Sequence, residues 1–467
     1  MDELWKLSAT DLAAGIREKT FSPSEVLSAH LERTEAVNGQ LNAIVRFIDD
    51  ARVVARHADA TVLRETELPP LFGVPFTVKE NLDVARYPTT DGVPSGEAAI
   101  ATMDDPAVER LRQAGAICFA RTNLPDFGLR LHTDSSLYGR TRNPFDEHAT
   151  PGGSSGGEGS AIAAGMSPLG LGNDIGGSVR NPAYCCGIAS LKPTPNTIAH
   201  ASSTASNSPS LSGQLMSTTG PMARTVADVW LAYKVLAGTH PRDPFCPPFV
   251  PNTDGFQPCR VALVPEPPGG STAKEVASCV RSAGEALQGL GYEVEEISPP
   301  SIVEARTIWS KLLMADIAEG LEAFRQVGSD ESIWILEEAL LEYGVPDRSE
   351  LFQLHQQRHL LAVEWSAFFQ DHPILLGPVW TEKPFSFDFD VRSRQSQHEV
   401  NVLSRFVTPM NVLGLPAVSV PTGLNQGLPL GVQVVANRYF DERALSAALD
   451  LERCFKPITP VSPFGQF

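Results

Sequence analysis

The sequence predicts an α/β fold, and three features carry that expectation. Short apolar runs bounded by turn residues, 71–78 (LFGVPFTV) and 116–120 (AICFA), alternate with helix-like segments. Residues 260–264, 272–290 and 292–297 read as strand, helix and strand, a β-α-β-like unit. A chain of 467 residues with 42% hydrophobic residues also has the material for a deep core, whether as two or three domains or as one unusually large one.

The elements follow from local chemistry. The first 65 residues read as helices, with Ser8 and Ser22 as N-caps; Ser22 precedes Pro23, and Val26, Leu27, His30 and Leu31 recur at helical spacing. Between Pro151 and Gly187 glycine and serine dominate and charge nearly vanishes. Residues 219–238 read as an amphipathic helix closed by glycine, and the proline-rich connector 241–258 as a surface linker. Helical patterns fill 302–369, 372–379 reads as a buried strand, and 418–420 with 431–435 as further strands.

Composition narrows the function. With 37 Lys+Arg against 55 Asp+Glu, the net charge is −18. Phosphate-rich partners need clustered cations, so a nucleic-acid surface is excluded and attachment to an anionic membrane is disfavoured. The opening MDELWKLSATDL lacks the basic segment and apolar run of a signal peptide, and no window has the roughly 18–20 apolar residues of a spanning helix. The seven cysteines (Cys118, Cys185, Cys186, Cys246, Cys259, Cys279 and Cys454) contain no CxxC pair, so the sequence indicates reduced thiols in a cytoplasm, with neither a disulfide framework nor a zinc site.

The segment 152–178 admits several readings. A flexible linker fits the glycine and serine content but not Ile162, Met166, Leu169, Leu171 and Ile175. Phosphate binding lacks the GxxxxGK[ST] pattern. Gly152-Gly153-Ser154-Ser155-Gly156 matches the G-x-S-x-G nucleophile elbow, but no downstream histidine stands in a distinctive context. A fourth reading activates a serine with a lysine. Lys79 ends the apolar run GVPFTV; an enclosed lysine loses the water that stabilises its ammonium form and becomes able to accept a proton. Taken alone, Lys79 reads more simply as a surface lysine.

Three blocks alter that weighting: 73–81 (GVPFTVKEN), 151–157 (PGGSSGG) and 172–183 (GNDIGGSVRNPA). Together they resemble the signature of the amidase signature family. Arg121-Thr122-Asn123, Tyr138-Gly139, residues 191–194 (LKPT), 219–224 (TGPMAR) and 414–417 (GLPA) extend the likeness along nearly the whole chain. The least similar stretch runs from about Ile302 to Val400. Ser154 follows Lys79 by 75 residues (154 − 79) and Ser178 follows Ser154 by 24 (178 − 154). The text 156–159 (GGEG) through 169–172 (LGLG) is most similar to the fatty-acid amide hydrolase branch, without the N-terminal membrane helix of the animal enzymes.

The resemblance implies one domain over 1–467, a large mixed β-sheet surrounded by α-helices. Its common core would occupy about 60–240 and 405–467, with a variable substrate-specificity region at about 300–400. It implies a Ser–Ser–Lys triad: Ser178 as nucleophile, Ser154 as bridging serine, Lys79 as base. It also implies a cis Gly153–Ser154 peptide and an oxyanion hole from the backbone of Ile175, Gly176, Gly177 and Ser178. Ser155 is expected to support Lys79 or Ser154 by a hydrogen bond, and Asp174 with Arg180 to brace the loop. Phe127, Gly128 and Trp380 are the substrate-binding candidates. Where the family commonly has threonine, this chain has Asn173, so the local hydrogen bonds are expected to differ.

The implied reaction is hydrolysis of a carboxylic amide through an acyl-enzyme, with no metal or cofactor, on a neutral aryl or acyl substrate. Carbamate or ester cleavage is the alternative on the same residues; an amidotransferase subunit acting only inside a complex is the alternative of another class. A homodimer is allowed and not required. Trp309, Leu312, Leu313, Met314, Trp334, Trp365, Phe368 and Phe369 in the variable region read either as pocket lining or as core. His355 and His359 sit at i,i+4 but lack the glutamate of HExxH and read as a solvated helix face, and Cys185-Cys186 read as buried packing.

Overall fold

Helix starts follow the caps that the sequence supplies. In a computed structural model, which describes residues 3–204, 210–248, 251 and 256–465, Ser8 accepts from the Asp11 amide ahead of α1 (Ala9–Arg17). Ser22 forms a full capping box with Glu25 ahead of α2 (Pro23–Leu41). The N-terminal stretch is not wholly helical, however. A strand, β1 (Ile44–Phe47), separates α2 from α3 (Ala51–Val62) and adds to a sheet edge through residues 120–122. At four residues it is too short to show a periodicity of its own.

The apolar runs form β2 (Pro75–Lys79) and β3 (Ile117–Thr122), flanking α4 (Pro106–Gln113). After a small ribbon of β4 (Asp134–Ser135) and β5 (Gly139–Arg140), the glycine-rich segment becomes α5 (Gly156–Ala163), β6 (Leu169–Asp174) and α6 (Arg180–Cys186). Every residue of α5 is buried. Its glycines suit close approach: a Cβ at Gly157 would stand 2.4 Å from the Asn123 backbone nitrogen.

Next come β7 (Ala189–Lys192), α7 (Leu211–Met216), β8 (Thr218–Ala223) and α8 (Val226–Leu236). The helix expected over 219–238 therefore starts only at Val226. Residues 218–223 are buried between two strands, and a Cβ at Gly220 would lie 2.1 Å from the Leu191 carbonyl. Sheet burial overrides the helical spacing there. The connector 241–258 lies partly outside the described residues, at 249–250 and 252–255.

The β-α-β unit is present as β9 (Arg260–Leu263), α9 (Lys274–Gly289) and β10 (Glu293–Glu296), with parallel strands. Three long helices follow, α10 (Ile302–Val327), α11 (Asp330–Tyr343) and α12 (Arg348–Asp371). The chain then returns to the sheet through β11 (Ile374–Pro378), passes α13 (Arg394–Leu403) and α14 (Thr408–Val412), and ends with β12 (Ala417–Asn425), β13 (Leu428–Ala436) and α15 (Asp441–Glu452).

Eleven strands make one mixed sheet in the order β1-β3-β2-β6-β8-β7-β12-β13-β11-β9-β10. Phe76, Val78, Leu171 and Leu191 from the first half share a single apolar cluster with Val418 and Val434 from the C-terminal end. None of the described helices is long and apolar enough to cross a membrane.

Because β2 and β6 run parallel, with Val78 beside Leu171, their carboxyl ends leave the sheet at the same edge. The two-residue alternation of a strand places Phe76 and Val78 in the apolar cluster and turns Thr77 and Lys79 to the opposite face, toward α5.

Leu376, in the middle of β11, is fully buried, whereas Leu360 on α12 is 66% exposed. Leu376→Ala is expected to cost about 2–5 kcal/mol, and Leu360→Ala to stay within about 0.5 kcal/mol of wild type. Urea unfolding midpoints of the two variants check the contrast.

Candidate active site

Lys79 closes β2 with no exposed surface. Its Nζ lies 2.7 Å from Ser154 Oγ and 2.6 Å from Asn173 Oδ1. Asn173 Nδ2 in turn donates to Asn81 Oδ1 at 3.0 Å, so a short chain of amides fixes the lysine head. Asn173, the position at which the resemblance led to an expectation of different local hydrogen bonds, thus contacts the lysine directly. Burial pulls the Lys79 ammonium down to about 7, against the carboxylates of Asp174, Asp91 and Glu158, which favour the charged form. Burial likewise pushes the Glu158 carboxyl up to about 8, although Thr77 Oγ1 donates to it at 2.7 Å.

Arg121 steadies the exit from β2. Its buried guanidinium donates to the carbonyls of Glu80 and Leu82 at 2.9 and 2.7 Å and pairs with the Glu80 carboxylate at 3.3 Å.

Ser154 is 1% exposed and Ser178 6%. The Gly153–Ser154 peptide is cis, and the Ser155 amide donates to the Ser178 carbonyl at 3.1 Å, which joins the two serine loops. Gly153 has no room for a side chain, since a Cβ would stand 2.4 Å from the Arg130 carbonyl. Ser155 does not fill the supporting role expected of it. Its buried Oγ has no hydrogen-bond partner among the described residues, because it faces Gly172, where a Cβ would come within 2.7 Å.

The loop after β6 turns on Asp174. Its Oδ1 accepts from the Gly177 amide at 2.7 Å, and Arg180 grips both carboxylate oxygens at 3.0 Å. Burial raises the Asp174 carboxyl, but the charge and hydrogen bonds of Arg180, together with Lys192 and Asn411, outweigh it and bring the group to about 2. Arg180 also reaches the Val407 carbonyl, Gln433 Oε1 and Asn411 Oδ1. The expected oxyanion set is corrected by this geometry. The Gly177 N–H is spent on Asp174, while the amides of Ile175, Gly176 and Ser178 make no hydrogen bond within the protein, among the described residues.

A partly enclosed cavity of about 110 Å³ opens at Ser178. It is lined by Gly128, Ile175 and Gly176, by Trp309, Leu313 and Ile317 from α10, and by Leu336 and Tyr343 from α11. The Trp309 indole donates to the Ile175 carbonyl at 2.7 Å and covers Gly176.

Of the three substrate-binding candidates, only Gly128 lines this cavity. The Phe127 ring turns away and packs on Phe324 at 4.8 Å between centroids. Trp380 is fully buried; its indole donates to Asn181 Oδ1 at 2.9 Å, and Asn181 Nδ2 reaches the carbonyls of Gly153 and Gly176 at 3.3 and 3.4 Å. It therefore acts behind the site, as a positioning residue. Leu312, Trp365 and Phe369 belong to the core, as do Cys185 and Cys186.

Arg306 and Tyr343 escaped sequence reasoning. The signal was present: Arg306, Trp309, Leu313 and Ile317 recur at three and four residues and make one stripe along α10. His132, Asp134 and Asp388 bring ligand atoms within 4.8 Å of one another. However, Arg140 pairs with Asp134 at 3.1 Å and also with Asp388, which accepts from Arg130 as well. With two guanidinium groups already neutralising these carboxylates, the cluster is a salt-bridge network unsuited to a further cation.

The Amidase family matches residues 25–445. The chain belongs to this family. Among its relatives, an indoleacetamide hydrolase of Bradyrhizobium diazoefficiens is 38% identical over 96% of this chain and 86% of that protein. An acylamidase of Rhodococcus erythropolis is 34% identical over 96% of this chain and 95% of its own length. Among solved structures, 6-aminohexanoate cyclic dimer hydrolase superposes on this amidase-family chain with a TM-score of 0.84 at 26% identity, covering 97% of each.

Removing the Arg180 guanidinium leaves Asp174 charged and unpaired in the interior. Arg180→Ala is expected to cost about 3–5 kcal/mol. Urea unfolding of the variant against wild type measures the loss.

Proposed function

We propose that the protein is an amidase that hydrolyses a carboxylic amide C–N bond through an acyl-enzyme on Ser178. The observation that carries this reading is the buried Lys79 amine in contact with Ser154, on the loop that is hydrogen-bonded to Ser178. In this reading neutral Lys79 takes the Ser154 proton while Ser154 takes that of Ser178, and the Ser178 oxygen attacks the carbonyl carbon. The relay then returns a proton to the amide nitrogen, the C–N bond breaks and the amine leaves. Water attacks the ester carbonyl by the same relay and frees the acid. The amides of Ile175, Gly176 and Ser178 are the candidate donors to the tetrahedral oxyanion, and each such donor typically supplies about 3–4 kcal/mol.

The cavity is of the order that holds a single aromatic ring. That size, its apolar wall and the 38% identity to an indoleacetamide hydrolase favour small aryl or acyl amides. Carbamates and esters pass through similar tetrahedral intermediates, and a substrate panel separates them. The amidotransferase-subunit reading has less support, given the identities to an indoleacetamide hydrolase and an acylamidase. We take residues 1–467 as one catalytic unit, with the region 300–400 setting specificity. Seven free cysteines, four of them buried, support a cytoplasmic setting.

A fluorophosphonate is expected to label Ser178, as read by mass spectrometry. Ser178→Ala should lower turnover by about 10⁴-fold or more with folding intact; near-normal activity in a folded variant would sink the mechanism. The base is the neutral form of Lys79, so kcat/KM should be lost as pH falls through about 7 and level off above it. A flat profile between about pH 6 and 9 would count against a lysine base.

A further inference from the structure

Arg306 is the feature of the cavity that hydrolysis of a neutral amide does not use. It stands one turn before Trp309 on α10 and lines the same space as Ser178. Among the described residues its guanidinium has a single hydrogen-bond partner, the Tyr343 hydroxyl at 3.4 Å, and makes no ion pair. Carboxylates outnumber cations by 55 to 37 in this chain, yet none is paired with the arginine that shares the cavity of Ser178. No Asp or Glu lines the cavity, and its other cation, Arg130, is already held by both oxygens of Asp390 at 2.6 and 2.9 Å.

A second cation deepens the imbalance. Arg405 is buried, and its donors go to the carbonyls of Gly270 and Ser271 and to the hydroxyls of Thr272 and Thr381. Burial first, and then the neighbouring Arg306 cation, pull the Arg405 guanidinium down to about 10, with Glu382 acting the other way. Burial meanwhile pushes the Tyr343 hydroxyl up to about 12, with the Arg306 cation acting the other way and the neighbouring Glu342 carboxylate adding to the rise, so it remains a neutral phenol beside Arg306. One end of the cavity is thus the apolar wall over the serine loop, and another part carries a free guanidinium fork and a phenol.

We propose that Arg306, with Tyr343, binds a carboxylate on the substrate, so that the site selects small amides carrying an anionic group beyond a short apolar spacer. A guanidinium fork matches a carboxylate in charge and shape, and the apolar wall accommodates the spacer. This inference rests on the amidase reading and specifies its substrate class; it departs from the uncharged substrate that the sequence suggests.

The test compares kcat/KM for 3- and 4-carboxyphenylacetamide and the monoamide of hexanedioic acid with that for 4-methylphenylacetamide, in wild type, Arg306→Ala and Arg306→Lys. Wild type should prefer at least one carboxylated amide, and Arg306→Ala should reduce that preference by about ten- to a hundredfold, with Lys restoring part of it. A merely structural arginine would lower all substrates alike and leave the ratio unchanged. Calorimetric binding of the same amides to Ser178→Ala protein, with and without Arg306→Ala, gives a readout independent of turnover. Binding that needs Arg306 without turnover in wild type would sink the amidase reading and keep this one. Turnover of the neutral amide, with no carboxylated amide preferred or with a ratio insensitive to Arg306, would overturn the carboxylate proposal alone.

Discussion

The ion pair between Asp174 and Arg180 is the constraint on which the site depends. Both side chains have lost their water, and each is affordable in the interior only because the other is there. Arg180 also ties the start of α6 to α14 through Val407 and Asn411, and to β13 through Gln433. Asp174 also accepts from the Gly177 and Val179 amides and from Asn411 Nδ2. The turn that presents Ser178 is therefore shaped by a charge pair whose partners come from its own loop and from the C-terminal part of the chain.

Around that turn the sheet does the rest of the positioning. Parallel β2 and β6 bring Lys79 and Asn173 to one edge, and the period of two aims Thr77 and Lys79 at the helix that starts beside Ser154. Glycines at 153, 157 and 172 remove the volume that would keep these backbones apart. The lysine then sits where water cannot reach it, which is what lowers its proton affinity. Packing and chemistry are one arrangement here: the density that stabilises the core is also what tunes the amine.

Much of this was legible in the residues. The α/β class, the N-caps at Ser8 and Ser22, the β-α-β unit and the closing strands could be read from periodicity and turn chemistry, since they depend on neighbours in sequence. Strand β8 could not, because 218–223 carries a helical spacing and becomes a strand only between β6 and β7. The motifs marked out the positions at 79, 154 and 178. They did not tell which amides of 175–178 remain free, since that depends on where a carboxylate points. Nor did they reveal that Trp380 stands behind Asn181 or that Phe127 turns toward Phe324, because both depend on contacts with residues distant in sequence. Arg306 was hidden for another reason: a lone arginine on an amphipathic helix looks like solvated surface until a cavity is found beneath it.

The position of β12 also bears on how the protein is made. It is nearly the last strand in sequence, yet it lies in the interior of the sheet, paired with β7 on one side and β13 on the other. The pairing partners Lys192 and Ala417 lie 225 residues apart (417 − 192), a stretch that a ribosome adding ~5–20 residues per second takes roughly 10–45 s to translate. Throughout that interval one side of β7, the four residues Ala189–Lys192, has no strand to pair with, in a nascent chain that already carries all three polar residues of the candidate triad. Unpaired edges invite pairing with other chains, so until residues 417–436 emerge this side of β7 is open to misassembly.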